Sequence, residues 1–199
     1  MTQRPYSHPG WSLAPALPLL LLAAVASWGA EARPLPVPER LPLRLEVTVL
    51  RLDNATKALV PVPAGSAFKT GDSVAFEVKA SRGGYLALRS PGTAGQLWPP
   101  QATGHPMPSQ ATVRIPASGL IRLSAPSPTK LSLVFSPRPL DGSPPPGSPD
   151  AEKPRWLKQI ILREATLEPG EAPAGPALVF EGPLSEAEKA VVELELRHP

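Results

Sequence analysis

Past residue 32 the chain holds two histidines, His105 and His198, and no cysteine. A zinc or other transition-metal site takes about three protein ligands from His, Cys or carboxylate, so both imidazoles would have to meet in space beside an acid. His105 lies in Thr103-Gly104-His105-Pro106, which reads as a turn, and His198 is the penultimate residue, where chains fray. No metal and no cofactor is expected. Serine chemistry fares no better. Ser66-Ala67-Phe68-Lys69 spells Ser-x-x-Lys, and Lys69-Thr70-Gly71 spells a companion element of the penicillin-recognising enzymes. In those enzymes the two elements stand far apart, whereas here they abut, and Ser-Asp-Asn and a Gly-x-Ser-x-Gly elbow are both missing. Glycoside hydrolysis needs two carboxyls about 5–10 Å apart in a cleft. Glu46, Glu77, Glu193 and Glu195 instead alternate with apolar residues, which turns them to solvent. No catalytic residue is assigned, and the chain is expected not to be an enzyme.

What remains is recognition. Tyr85 opens one predicted strand, and Trp98 closes another beside Pro99 and Pro100, with Gln101 and His105 close behind. Loops on a rigid sheet are where binding groups sit, so Tyr85, Trp98, Gln101 and His105 form the candidate binding surface. Core anchoring is the competing role for the two large rings. The formal charge of +3 comes from Lys and Arg interspersed with Asp and Glu, which excludes the basic patch that a nucleic-acid partner would need. Asn54-Ala55-Thr56 fits an N-glycosylation acceptor, for which a plain turn is the simpler explanation.

The elements that must carry these residues are strands. Leu43, Leu45, Val47 and Val49 alternate with Arg44, Glu46 and Thr48, the period of a half-buried strand. Val74, Phe76 and Val78 alternate with Glu77 and Lys79, Ser81-Arg82-Gly83-Gly84 reads as a turn, and residues 85–89 read as the returning strand of a hairpin. Before the first of these, Gly71-Asp72 reads as a turn in which Gly takes a positive φ and Asp bonds to the following backbone. Further strands are predicted at 96–98, 111–115, 120–123 and 130–135, with residues 115–120 as a turn, and a last strand carries Val192, Leu194 and Leu196. Thirty prolines, about three times ordinary usage, leave no room for the crossover helices of a parallel sheet. The expected fold is therefore all-β, an antiparallel β-sandwich of short strands. Residues 141–153 read as an exposed Pro/Gly/Ser-rich loop, and Trp156, Leu157, Ile160 and Ile161 fit either a short helix near 154–164 or a strand ending near Leu167. Ser185-Glu186-Ala187-Glu188 matches a capping box and predicts one turn of helix.

Residues 1–32 read as a cleavable signal peptide. Arg4 is the charged residue of the n-region, residues 13–26 are apolar, and Ala30-Glu31-Ala32 fits the cleavage pattern. Pro15 and Pro18 break the apolar stretch, which argues against a retained span. Residues 33–42, with proline at nearly every second position, form a spacer, residues 43–140 the sandwich, and 154–199 a C-terminal extension packing on the same domain. The chain is thus expected to be exported, periplasmic or secreted, with no transmembrane segment after cleavage.

One family has a similar order of motifs. Phe68-x-x-Gly71-Asp72-x-Val74, Gly84-Tyr85-Leu86, Gly95-Gln96-Leu97-Trp98-Pro99, Ile115-Pro116 and Pro137-Arg138-Pro139-Leu140 together resemble the bacterial domain of unknown function 4384 over residues 43–140. Pro100 stands where that family often has asparagine. The resemblance implies a β-sandwich accessory domain of exported or envelope-associated proteins, with no established catalytic residues to carry over. The expected function is a non-enzymatic domain binding a protein or envelope component. The alternative is an envelope-directed hydrolase or carbohydrate-binding protein whose site is built from scattered Ser, His and Glu.

Overall fold

The computed structural model describes residues 39–63, 65–90, 96–124, 129–152, 160–171 and 175–197. Residues 1–32, read above as a signal peptide, residues 33–38 of the spacer, residue 153 of the loop, residues 154–159 of the helix-or-strand segment and His198 lie outside them. The strands are β1 (Arg40–Leu52), β2 (Leu59–Val62), β3 (Ser73–Ala80), β4 (Gly84–Arg89), β5 (Gln96–Trp98), β6 (His105–Met107) and β7 (Thr112–Ile115). They continue with β8 (Ile121–Arg122), β9 (Thr129–Ser136), β10 (Arg163–Ala165), β11 (Glu168–Pro169), β12 (Leu178–Ser185) and β13 (Glu188–Leu196). A single 3-10 turn spans Pro149–Glu152.

The chain is an all-β sandwich. One sheet runs β11-β12-β1-β3-β7, with β2 also on β1 and β8 also on β3; the other runs β10-β13-β9-β4-β5, with β6 also on β4. Pairing is antiparallel except between β10 and β13. The alternation read from β1 and β3 sends Leu43, Leu45, Val47, Val49, Val74, Phe76 and Val78 into the core. There they meet Leu86 and Leu88 of β4, Leu131, Leu133 and Phe135 of β9, and Val192, Leu194 and Leu196 of β13. Glu77, Glu193 and Glu195 point to solvent as expected, and Glu46 is half-buried beside Arg44.

β3 and β4 are not a hairpin. β3 pairs with β1, β7 and β8, while β4 pairs with β9, β5 and β6, so Ser81-Arg82-Gly83 carries the chain from one sheet to the other. β4 buries Leu86, Ala87 and Leu88 in succession and so needs cover on both faces. Gly84 makes the crossing possible, since a Cβ there would lie 2.4 Å from the Ser136 carbonyl oxygen and 2.6 Å from the Phe135 ring. Residues 115–120 do not reverse the chain either. β7 and β8 both pair with β3 in one direction, and the loop between them leaves mid-ladder and returns. Gly71 takes φ +95°, but the Asp72 carboxylate accepts from the Lys69 N–H behind it, not from the backbone ahead.

The capping-box residues form no helix. Glu186 and Ala187 turn the chain from β12 into β13, and the Glu188 carboxylate accepts the Ser185 N–H at 2.9 Å. The side chain thus reaches back to the N–H as in a capping box, and uses it to close a turn between sheets. Around this turn, Arg40 Nε donates to Glu188 at 3.1 Å and Arg82 donates to the Leu184 carbonyl at 3.0 Å. Arg82 and Arg138 flank Glu186 at 3.5 and 3.4 Å; the Arg138 contact has the distance of an ion pair without hydrogen-bond alignment. The Ser185 N–H holds the Glu188 carboxyl below the usual carboxylate range, helped by the Ser185 hydroxyl and by Arg40 and opposed by desolvation. The ionised form therefore stabilises the fold above about pH 4.3, the unfolded value, and that contribution is lost as pH falls through the lowered folded pKa. Glu188→Gln is expected to lower the melting temperature at neutral pH and to flatten its decline on acidification, as thermal melts across a pH series will measure.

The stretch after residue 140 is a loop, exposed at Asp141, Pro146, Gly147, Pro149 and Glu152 but not throughout. Gly142 and Pro144 are buried, and Ile160 N–H donates to the Gly142 carbonyl at 3.0 Å. In the described part of 154–164 there is no helix; it ends in β10, whose chain crosses through buried Leu167 to β11 on the other sheet. This strap closes one flank of the sandwich. The opposite flank is made of β5 and β6 on one sheet and β7 and β8 on the other.

Candidate functional site

On the β5–β6 flank the edge strand is broken in the middle. Trp98 pairs with Leu88, the chain leaves through residues 99–104, and His105 returns to pair with Leu86. His105 therefore belongs to a strand, not a turn. Residues opposite each other in a ladder present their side chains to the same face. Leu86 and Leu88 point to the core, so Trp98 and His105 share the inner rim of the sheet. Their ring centroids lie 4.8 Å apart with planes tilted by 43°, a separation worth about 0.5–1.5 kcal/mol beyond the area buried. Trp98 packs part of its surface on the core and both rings stay half-exposed. The register shifts between Leu88 and Arg89, which pair with Trp98 and Gln96, so Leu97 is the extra residue of the irregularity, and it is 48% exposed.

The excursion is held at both ends. Pro99 is buried, and Gly104 donates to the Gln101 carbonyl at 3.1 Å. Gly104 has φ +83°, which favours glycine, and a Cβ there would also stand 2.8 Å from Leu140 Cδ1 and 3.2 Å from the Leu86 carbonyl oxygen. Leu140 N–H donates to the Thr103 carbonyl at 2.9 Å, tying the loop to the chain leaving β9. Gln101 sits exposed at the loop's start.

Tyr85 is separated from this group. It pairs with Pro106 and Ser136, one residue out of phase with Leu86, and so projects from the outer face of the same sheet. Burial pushes its phenol pKa up, and the nearby Asp141 carboxylate adds to the shift. Of the four residues picked out in the sequence, Trp98 and His105 touch, Gln101 lies in the loop joining them, and Tyr85 is divided from them by the sheet.

Elsewhere the sequence motifs dissolve into turns. The Ser66 hydroxyl donates to the Pro63 carbonyl at 2.8 Å. Thr56 of the Asn-Ala-Thr triplet donates to Asp53, whose carboxyl is held low by the Ala55 N–H and the Thr56 hydroxyl. Among the described residues no three His, Asp or Glu stand together as a metal would require. Two concavities had no sequence signal, because their residues are far apart in the chain. A groove of about 630 Å³ is lined by Pro42, Leu43, Gly182 and Pro183 together with Arg40, Arg44 and Arg82. Those guanidiniums are engaged: Arg44 with Glu46 and Glu181, Arg40 with Glu188, Arg82 with Glu186. A second, of about 570 Å³, lies between Arg51, Asp53, Val60, Lys69 and Asp72 at the opposite end of β1. Leu97 was also missed, because it is the extra residue at a register shift that no alternation pattern announces.

No family model, curated protein or solved structure matches this chain.

Proposed function

We propose that this chain is an exported, non-enzymatic β-sandwich that binds a protein or a component of the cell envelope, periplasmic or secreted. Contact runs through the β5–β6 flank. The observation that carries the reading is the tilted Trp98–His105 pair at the sheet rim, with Leu97 exposed beside it. Half-buried aromatics on a rigid strand offer a large contact area at low entropic cost, which is why such residues dominate binding energies. Gln101 and the imidazole add polar groups at the margin. The signal-like residues 1–32 support export, and the resemblance to the domain of unknown function 4384 supports an accessory role.

The test is capture from an envelope extract with the mature protein. Leu97→Asp and Trp98→Ala are expected each to weaken retention of a specific partner by about thirtyfold, the effect of losing a hot-spot side chain. Leu97 is exposed, so its variant melts with the wild type and separates lost contact from lost fold. Equal recovery by wild type and both variants would remove the flank from the mechanism. Turnover of peptidoglycan, an ester or a polysaccharide, abolished by one Ser or His substitution, would replace the reading with an enzymatic one.

A further inference from the structure

A sheet edge exposes a row of unused N–H and C=O groups and pairs readily with another strand. Proline has no N–H to offer, so within sheets it is confined to edges, strand starts and bulges. The positions of the prolines here follow the sheet order. Interior strands β3, β4, β9 and β13 have none. Pro42 of β1 and Pro183 of β12 face each other at the end of their ladder, past the last residues that β3 and β11 reach. Edge strands carry them directly: Pro61 in β2, Pro106 in β6, Pro169 in β11. β5 ends against Pro99 and β7 against Pro116, where each edge breaks into its excursion. Among the described edge strands only β8 and β10 escape, at two and three residues long.

We infer that the edge prolines are an anti-pairing device that keeps copies of this sandwich from joining strand to strand. β2 is the edge where it matters most. Leu59-Val60-Pro61-Val62 is apolar, Val60 is 44% exposed, and Pro61 interrupts what is otherwise a strongly strand-forming run. A protein that has to present one flank to a partner cannot tolerate competing association at its other edges. The device holds whatever the flank binds.

The test is sedimentation of the full mature chain over a concentration series. Wild type is expected to remain monomeric. Pro61→Thr restores an N–H and a β-branched side chain, and is expected to associate at a concentration at least about tenfold lower. Amide exchange should show new protection at residues 59–62 in the associated form. Pro63→Thr, just past the strand, is expected to stay with the wild type. Pro106→Thr repeats the test on the other sheet should Pro61→Thr fail to fold. Folded variants that remain monomeric throughout the range would overturn the inference, as would wild-type protein already paired through residues 59–62.

Discussion

A chain ending at Leu140 will not fold. Residues 39–140 contain every motif behind the family resemblance, yet β1 and β9 would each lose an interior partner. β12 pairs with β1 from Arg40 to Val47, and β13 pairs with β9 from Thr129 to Phe135. Leu184, Val192, Leu194 and Leu196 leave the core with them. At about 1.5–3 kcal/mol for each buried aliphatic side chain, these four represent on the order of 6–12 kcal/mol, comparable to the whole stability of an ordinary domain. Circular dichroism and amide spectra of residues 39–140 beside 39–199 will decide this. A cooperative melt from the shorter chain would mean that the C-terminal strands are dispensable.

Gly84→Val is expected to cost about 3 kcal/mol or more, at the upper end of overpacking penalties. The added Cβ meets a backbone oxygen at 2.4 Å and an enclosed ring at 2.6 Å, and neither is a flexible side-chain tip that can swing aside. Gly83→Ala supplies the contrast. Its Cβ would find the nearest atoms at 3.4 and 3.5 Å, ordinary contact that leaves stability within about 0.5 kcal/mol. Urea titration of the pair measures the difference, and equal losses would mean that the crossing between sheets does not depend on close approach at Gly84.

Alternation was legible wherever one face is buried and the other wet. β1, β3 and β13 satisfy that condition, and their inward residues were readable one by one. Sheet membership was not, because Ser81-Arg82-Gly83-Gly84 has the composition of a hairpin turn whichever sheet the next strand joins. The clue lay in β4, where Leu86-Ala87-Leu88 has no polar face. β6 was hidden by Pro106, which reads as a breaker although an edge strand accepts it. β12 was hidden by Gly182 and Pro183, which interrupt its pattern where its neighbours have ended. The Ser185–Glu188 pattern encodes a reach-back hydrogen bond, and local spacing does not say whether a helix or a turn between sheets will use it. For the candidate site, residue types and neighbourhood were legible for Trp98, Gln101 and His105. Tyr85 was misgrouped because one step along a strand moves a side chain to the other face.

The most direct measurement of the proposed function is site-specific photocrosslinking in the cell that makes the protein. A photoreactive residue is placed at position 97 or 101 on the β5–β6 flank, and at 193 or 195 on the outer face of the same sheet. One discrete crosslinked partner is expected from 97 and 101, lost when Trp98→Ala is added, and none from 193 and 195. The same partner captured from all four positions, or captured from 97 with Trp98 removed, would contradict it.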